Sequence, residues 1–86
     1  MMLDIKIKNA SDQQNICGIK NNNLKCIESI LSCEISMRGD EIYVNANDEI
    51  IPLLEELFHT LEEVSILNYS ITERDVTYII NQLIIT

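Results

Sequence analysis

Basic residues are scarce in this chain: six Lys and Arg stand against fourteen Asp and Glu, a net charge of −8 at pH 7. The shortage is uneven. Residues 47–86 carry Arg74 as their one base against eight acids, a balance of −7. Residues 1–46 carry Lys6, Lys8, Lys20, Lys25 and Arg38 against six acids, a balance of −1. An acidic body repels polyanions at long range, which disfavours tight nucleic-acid binding and leaves any such contact to the first half.

Long apolar runs are missing as well, so no segment reaches the ~20 residues of a transmembrane helix, and no membrane association is expected. The first residues alternate polar and apolar and lack the apolar region of a secretory signal, which makes the expected location cytoplasmic. With two Gly and one Pro, no Pro/Gly/Ser-rich linker divides the chain, and residues 1–86 are expected to form one domain. His59 is the single histidine, and the three cysteines, Cys17, Cys26 and Cys33, form no CxxC pair. These spacings match no zinc site, and no metal is expected. An odd number of thiols fits reduced cysteines packed as small apolar side chains.

Apolar material is present in quantity. At 47% hydrophobic residues the chain can fill one core; a domain of this size buries somewhat over ~60% of its unfolded surface and is only modestly stable. The stretch Ile16–Met37 organises the rest. Gly18 marks a tight turn, and Asn21, Asn22 and Asn23 can cap a helix or tolerate a left-handed turn. Leu24, Ile27 and Leu31 recur at helical spacing, with Ile30 widening the stripe, so a helix is predicted over 22–31. Past Ser32 the period drops to two, predicting a strand over 34–38.

Before this stretch, Leu3, Ile5 and Ile7 alternate with Asp4, Lys6 and Lys8 as a half-buried strand. Asn9–Asp12 supply turn and capping residues for a short helix over 12–17. After it, Gly39-Asp40 signals a hairpin whose return strand is Glu41–Asn45, with Ile42 and Val44 on one face and Tyr43 on the other. Asn47 or Asp48 can cap the next helix. Ile50, Leu54, Leu57, Leu61 and Val64 form its stripe, widened by Leu53 and Phe58, with Pro52 near its start. The acid pairs Asp48/Glu49, Glu55/Glu56 and Glu62/Glu63 recur every seven residues, nearly two turns, which predicts one charged strip along that helix. Glu55, Glu56, Glu62 and Glu63 are therefore candidate docking residues for a basic partner. Thr72-x-x-Asp75 is a capping box with Ile71 placed to staple onto Val76, opening a last helix with Val76, Ile79, Ile80 and Leu83 inward. The apolar close, Leu83-Ile84-Ile85-Thr86, predicts that the natural chain continues.

No catalytic constellation emerges, and no small-molecule substrate or cofactor is indicated. His59 beside Phe58 is expected to be packed or half-exposed rather than a general base, and Cys17 beside Gly18 is expected to be a buried thiol.

The order of elements, β-α-α-β-β-α-α, predicts an α+β sandwich of two layers, a three-stranded sheet with helices on one face. This order and the run Cys17-Gly18-Ile19-Lys20-Asn21-Asn22-Asn23-Leu24-Lys25-Cys26-Ile27 resemble a K-homology (KH) domain, with Asn21 where the second glycine of its Gly-x-x-Gly loop belongs. Asparagine copies the glycine's backbone angles but not its bare surface, so close approach of a phosphate backbone is hindered. Gly18 with Asn23-Leu24 and Ile27-Glu28, the Arg38-Gly39 hairpin and Ser70-Ile71-Thr72-x-x-Asp75-Val76 together resemble the N-terminal domain of PhoH-like proteins over about residues 3–83. In that family a P-loop ATPase domain follows, linked to phosphate starvation and RNA metabolism. No GxxxxGK[ST] occurs here, so ATP and Mg²⁺ are implied only for that missing domain.

Two functions follow as expectations. In the first, the domain is a non-catalytic accessory that binds single-stranded RNA weakly for the attached ATPase, with Gly18, Ile19, Lys20, Asn21, Lys25 and Arg38 forming the contact and bases lying near Ile35. In the second it docks on the ATPase, neighbouring subunits or another protein and binds no nucleic acid.

Overall fold

The computed structural model describes residues 1–85, so Thr86 of the apolar close lies outside the described residues. Its elements run β1 (Met2–Lys6), α1 (Ala10–Cys17), a 3₁₀ turn (Ile19–Asn21), α2 (Asn22–Leu31), β2 (Glu34–Arg38), β3 (Glu41–Asn45), α3 (Ile51–Ile66) and α4 (Glu73–Ile85). This is the two-layer α+β order that the KH resemblance implies. The strands form one antiparallel sheet in the order β1-β3-β2. α2 and α3 rest on its inner face, α1 lies against both, and α4 packs on α2 and α3 rather than on the sheet.

Period two decides the sheet. Leu3, Ile7, Ile42 and Val44 are buried, with Ile35 and Met37 partly buried against them. The other face is wet and polar, as an antiparallel sheet allows. There Asn45 donates to Glu34 (3.0 Å), the Tyr43 hydroxyl donates to Glu41 (3.1 Å) and Lys6 approaches Glu41 at 4.0 Å. Both sheet edges are closed by carboxylates. Glu55 of α3 accepts from the Asp4 N–H of β1 (2.9 Å), and Glu28 of α2 accepts from the Ile35 N–H of β2 (2.8 Å). A charged acceptor on each edge removes donors that another strand would use.

Helix boundaries follow the local signals, with three corrections. α1 begins two residues before the expected span of 12–17, because the Asn9 side chain accepts from the N–H groups of Ser11 and Asp12 and caps it. α3 begins at Ile51 with no side-chain cap. Asn47 and Asp48 instead offer their carbonyls to Ile50 N–H and Ile51 N–H, and Pro52 leaves one donor fewer to satisfy. Consequently Asp48 and Glu49 precede the helix and Ile51 fills the core position, leaving Ile50 half-buried. Ile30, placed by its spacing in the α2 stripe, is 40% exposed, because the inward face is already filled by Leu24, Ile27 and Leu31. At α4 the box forms as its spacing requires. Thr72 N–H and Oγ1 donate to Asp75 Oδ2 (2.9 and 3.0 Å) and Asp75 N–H donates to Thr72 Oγ1 (3.3 Å), with Ile71 and Val76 buried together.

α2 ends at Ser32, which is left-handed (φ 52°, ψ 55°), and the N–H groups of Ser32 and Cys33 both reach the Glu28 carbonyl. This is the position where glycine is favoured. Ser32→Gly is expected to raise stability by about 0.5–1 kcal/mol, the relief of left-handed strain exceeding the entropy that glycine adds to the unfolded chain. A thermal midpoint a few degrees higher checks it; a lower midpoint would show that the serine conformation carries little strain.

Among the described residues, no helix is long and apolar enough to cross a membrane.

Candidate nucleic-acid interface

The turn between α1 and α2 is built from unusual backbone angles. Gly18 sits at φ 78°, ψ 176°, a region essentially closed to side chains, and its N–H donates to the Gln14 carbonyl (2.9 Å). Lys20 (φ 54°) and Asn21 (φ 60°) are both left-handed, and Asn21 N–H returns to the Gly18 carbonyl (3.2 Å). Asn21 thus serves through its backbone and makes no side-chain cap. The turn throws its side chains outward: Ile19 is 81% exposed, and Lys20, Asn21 and Lys25 are exposed.

A clamp of two asparagines holds this turn in place. Asn23, 3% exposed, donates through Nδ2 to the Asn15 carbonyl (3.3 Å) and the Ile71 carbonyl (3.1 Å). Its amide lies so close to Gly18 that a Cβ on residue 18 would meet its Cγ and Nδ2 at 2.8 Å. Asn15 completes the grip, accepting from Ile71 N–H (2.8 Å) and donating to Tyr69 O (2.7 Å) and Ser65 Oγ (3.0 Å). Ser65, itself buried, donates to Asp12 (2.6 Å). Both peptide groups of Ile71 are therefore taken by asparagine side chains from α1 and α2. The sequence marks Asn23 as a capping candidate rather than a buried clamp and does not single out Asn15 or Ser65, since polar residues within helices carry no spacing signal for burial.

Beside the turn lies a depression of about 220 Å³ lined by Gln13, Gln14, Cys17, Gly18, Asn21 and Met37. It joins α1, the turn and β2. Gln13 spends its Nε2 on the Ile7 carbonyl (2.6 Å). The Cys17 thiol contacts the Met37 sulfur at 3.9 Å, and burial pushes its pKa up, away from a reactive thiolate. No carboxylate lines this depression. Three other depressions each carry one or more: Glu28 and Glu34 in two of them, Asp75 in the third.

The structure brings Gly18, Ile19, Lys20, Asn21 and Lys25 together on the turn and the first turns of α2. Arg38 stands outside this turn, on β2 next to Met37 of the depression wall. Arg38 shares the outer sheet face with Ser36, and its guanidinium stacks over the Tyr43 ring at 5.2 Å. The hydrogen bond to Glu41, more than any other cause, raises the Tyr43 pKa. Ile35 borders a different depression, with Glu28 and Glu34 on its walls.

The candidate docking acids do not form one free strip. Glu55 is turned onto β1 by its bond to Asp4 N–H. Glu63 pairs with His59 Nε2 at 2.7 Å, both side chains largely exposed; Glu56 is exposed and Glu62 half-buried. Cys33 is buried, and burial with the nearby Glu28 charge raises its pKa; Cys26 is half-buried near Thr77. Among the described residues, no three His, Cys, Asp or Glu side chains converge as metal ligands.

Compared with known proteins, the chain is 31% identical over 80 residues to a PhoH-like protein of Bacillus subtilis (strain 168), a match that takes in 93% of this chain. The chain spans about a quarter of the length of that curated relative (25%). No family model matches the sequence, and no match was found among solved structures. The resemblance read from the turn, the hairpin and the Thr72 box is thus borne out as PhoH-like character over nearly the whole chain.

Proposed function

From a chain that is PhoH-like along its length, we propose a KH-like accessory unit that makes a weak contact with single-stranded RNA on behalf of a P-loop ATPase, and that does no chemistry itself. One observation carries this reading: on a body of net charge −8, the depression beside Gly18 is free of carboxylates, and Lys20 and Lys25 stand exposed on the same turn and helix. Lys20 and Lys25 meet phosphates, Ile19 offers an apolar surface to a base, and the Gln13, Gln14 and Asn21 amides border the depression. Glu28 on the Ile35 N–H sets a negative charge along β2, so the contact belongs at the turn rather than along that strand. Asn21 in the glycine position keeps the phosphate backbone at a distance, which accounts for weak binding. ATP and Mg²⁺ belong to the partner domain. Reduced thiols fit a cytoplasmic setting.

Titration of a fluorescent single-stranded RNA with the 86-residue chain at low salt, followed by anisotropy, tests the proposal. Saturable binding in the micromolar range is expected. Lys20→Ala with Lys25→Ala is expected to weaken it at least tenfold and to flatten the log-affinity against log-salt slope by about 1.4, two contacts at ~0.7 each. No binding at high micromolar protein, or binding indifferent to the double substitution, overturns it.

A further inference from the structure

Away from the turn, a second depression of about 380 Å³ lies between the end of α3 and the body of α4, lined by Val64, Tyr69, Ser70, Asp75, Tyr78 and Ile79. Local chemistry builds both walls. α3 closes in a Schellman motif in which Asn68 takes the left-handed position (φ 69°). Tyr69 N–H reaches Val64 O (3.4 Å) and Asn68 N–H reaches Ser65 O (2.8 Å), which places the apolar side chains of Val64 and Tyr69 on one wall. The opposite wall is α4, whose start is set by the Thr72–Asp75 box and which presents Tyr78 and Ile79.

The lining of this depression is mainly apolar. Tyr69 and Tyr78 are each 64% exposed, and Ile66 and Leu67, in the same closing turn as Tyr69, are 61% and 67% exposed. Two exposed tyrosines lining one apolar depression mark an interaction surface, and tyrosine is a favoured anchor there.

Charge selects the occupant. Residues 47–86 carry −7, and Asp75 puts a carboxylate on the depression wall itself. A second copy would bring another body of −8 to this wall, and anionic lipids or nucleic acids would be repelled in the same way. We propose that the groove docks an amphipathic helix of a protein partner, its apolar face between Tyr69 and Tyr78 and its flanking Lys or Arg toward Asp75. This docking rests on different residues from the RNA contact and stands or falls apart from it.

The probe is a peptide of about 18 residues, five helical turns, with Leu at helical spacing and Lys elsewhere, set against a counterpart with Glu in place of Lys. Each is titrated into the isotopically labelled 86-residue chain and followed by amide chemical shifts. Saturable shifts centred on Val64, Tyr69, Tyr78 and Ile79 with the Lys peptide, absent with the Glu peptide, are expected. Tyr78→Ser is expected to weaken binding at least tenfold while leaving the thermal midpoint unchanged, since its side chain is mostly in water. Tyr69→Ser, which keeps the carbonyl held by Asn15, is the second variant. Shifts spread along the acidic surface without saturation, equal binding of both peptides, or self-association of the free chain through these residues each overturn the proposal.

Discussion

Gly18→Ala is expected to destabilise the chain by about 3 kcal/mol, lowering its thermal midpoint by roughly 12–24 °C. Two costs combine. The backbone at φ 78°, ψ 176° is open to glycine and strained for alanine by ~1–3 kcal/mol. The new methyl would also sit 2.8 Å from Asn23 Cγ and Nδ2, and Asn23 cannot simply swing aside, because it is buried and committed to the Asn15 and Ile71 carbonyls. Urea unfolding of the single variants and of Gly18→Ala with Asn23→Ala separates the two contributions. In the Asn23→Ala background the second substitution is expected to cost only the backbone part, so the pair is strongly non-additive. Additive effects would mean that the turn shifts away from residue 23. A total below about 1 kcal/mol would mean that residue 18 relaxes to ordinary angles.

Asn15→Ala is expected to cost about 2–4 kcal/mol, more than a typical polar truncation. One alanine removes the acceptor of Ile71 N–H and the donor to Ser65 Oγ and Tyr69 O. Ile71 is 7% exposed, so its amide is left with poor access to water. The loss is local before it is global: hydrogen exchange at Ile71 is expected to accelerate far more than at Ile27 or Leu57, as the connection between α3 and α4 loosens from α1. Asn15→Asp keeps an acceptor for Ile71 but sets a carboxylate against the Tyr69 carbonyl, so it is expected to rescue little. Uniform loss of protection across the chain would show that Asn15 supports the whole core rather than this connection, and rescue by Asp would show that the Ile71 amide alone matters.

These two variants also divide the functional questions. The turn carrying Lys20 and Lys25 and the wall carrying Tyr69 are held by the same pair of asparagines, through opposite ends of one network. A change at Asn15 or Asn23 therefore disturbs both candidate surfaces. Lys20, Lys25, Tyr69 and Tyr78, all exposed, are the residues that test each surface alone.

Several elements were legible in the residues because their causes lie within a few positions of one another. The alternation over Glu34–Arg38 and Glu41–Asn45, with Gly39-Asp40 between, specifies the hairpin, and Gly39 indeed takes φ 61°. Leu24, Ile27 and Leu31 place α2 over Asn22–Leu31, and Thr72 with Asp75 places the start of α4. Cys17 beside the turn is legible as a buried thiol. The candidate RNA residues from Gly18 to Lys25 are contiguous in sequence, so their sharing one turn follows from the chain itself. Arg38, thirteen residues beyond Lys25, has no such guarantee, and the pleat of β2 sends it to the outer face over Tyr43.

By itself, then, the sequence determined the order of elements, the hairpin, the left-handed capacity of Asn21, the box at Thr72 and the division into a near-neutral first half and an acidic second half. Each depends on spacing within about one or two turns or one strand pair. Tertiary structure alone decided which polar residues are buried and which charges close the sheet. Asn23 meets Ile71 across 48 residues, Asn15 meets it across 56, and Glu55 meets Asp4 across 51. No local period encodes such partners. They are chosen when packing removes water from a backbone N–H or C=O, and the nearest side chain able to replace that water becomes part of the fold.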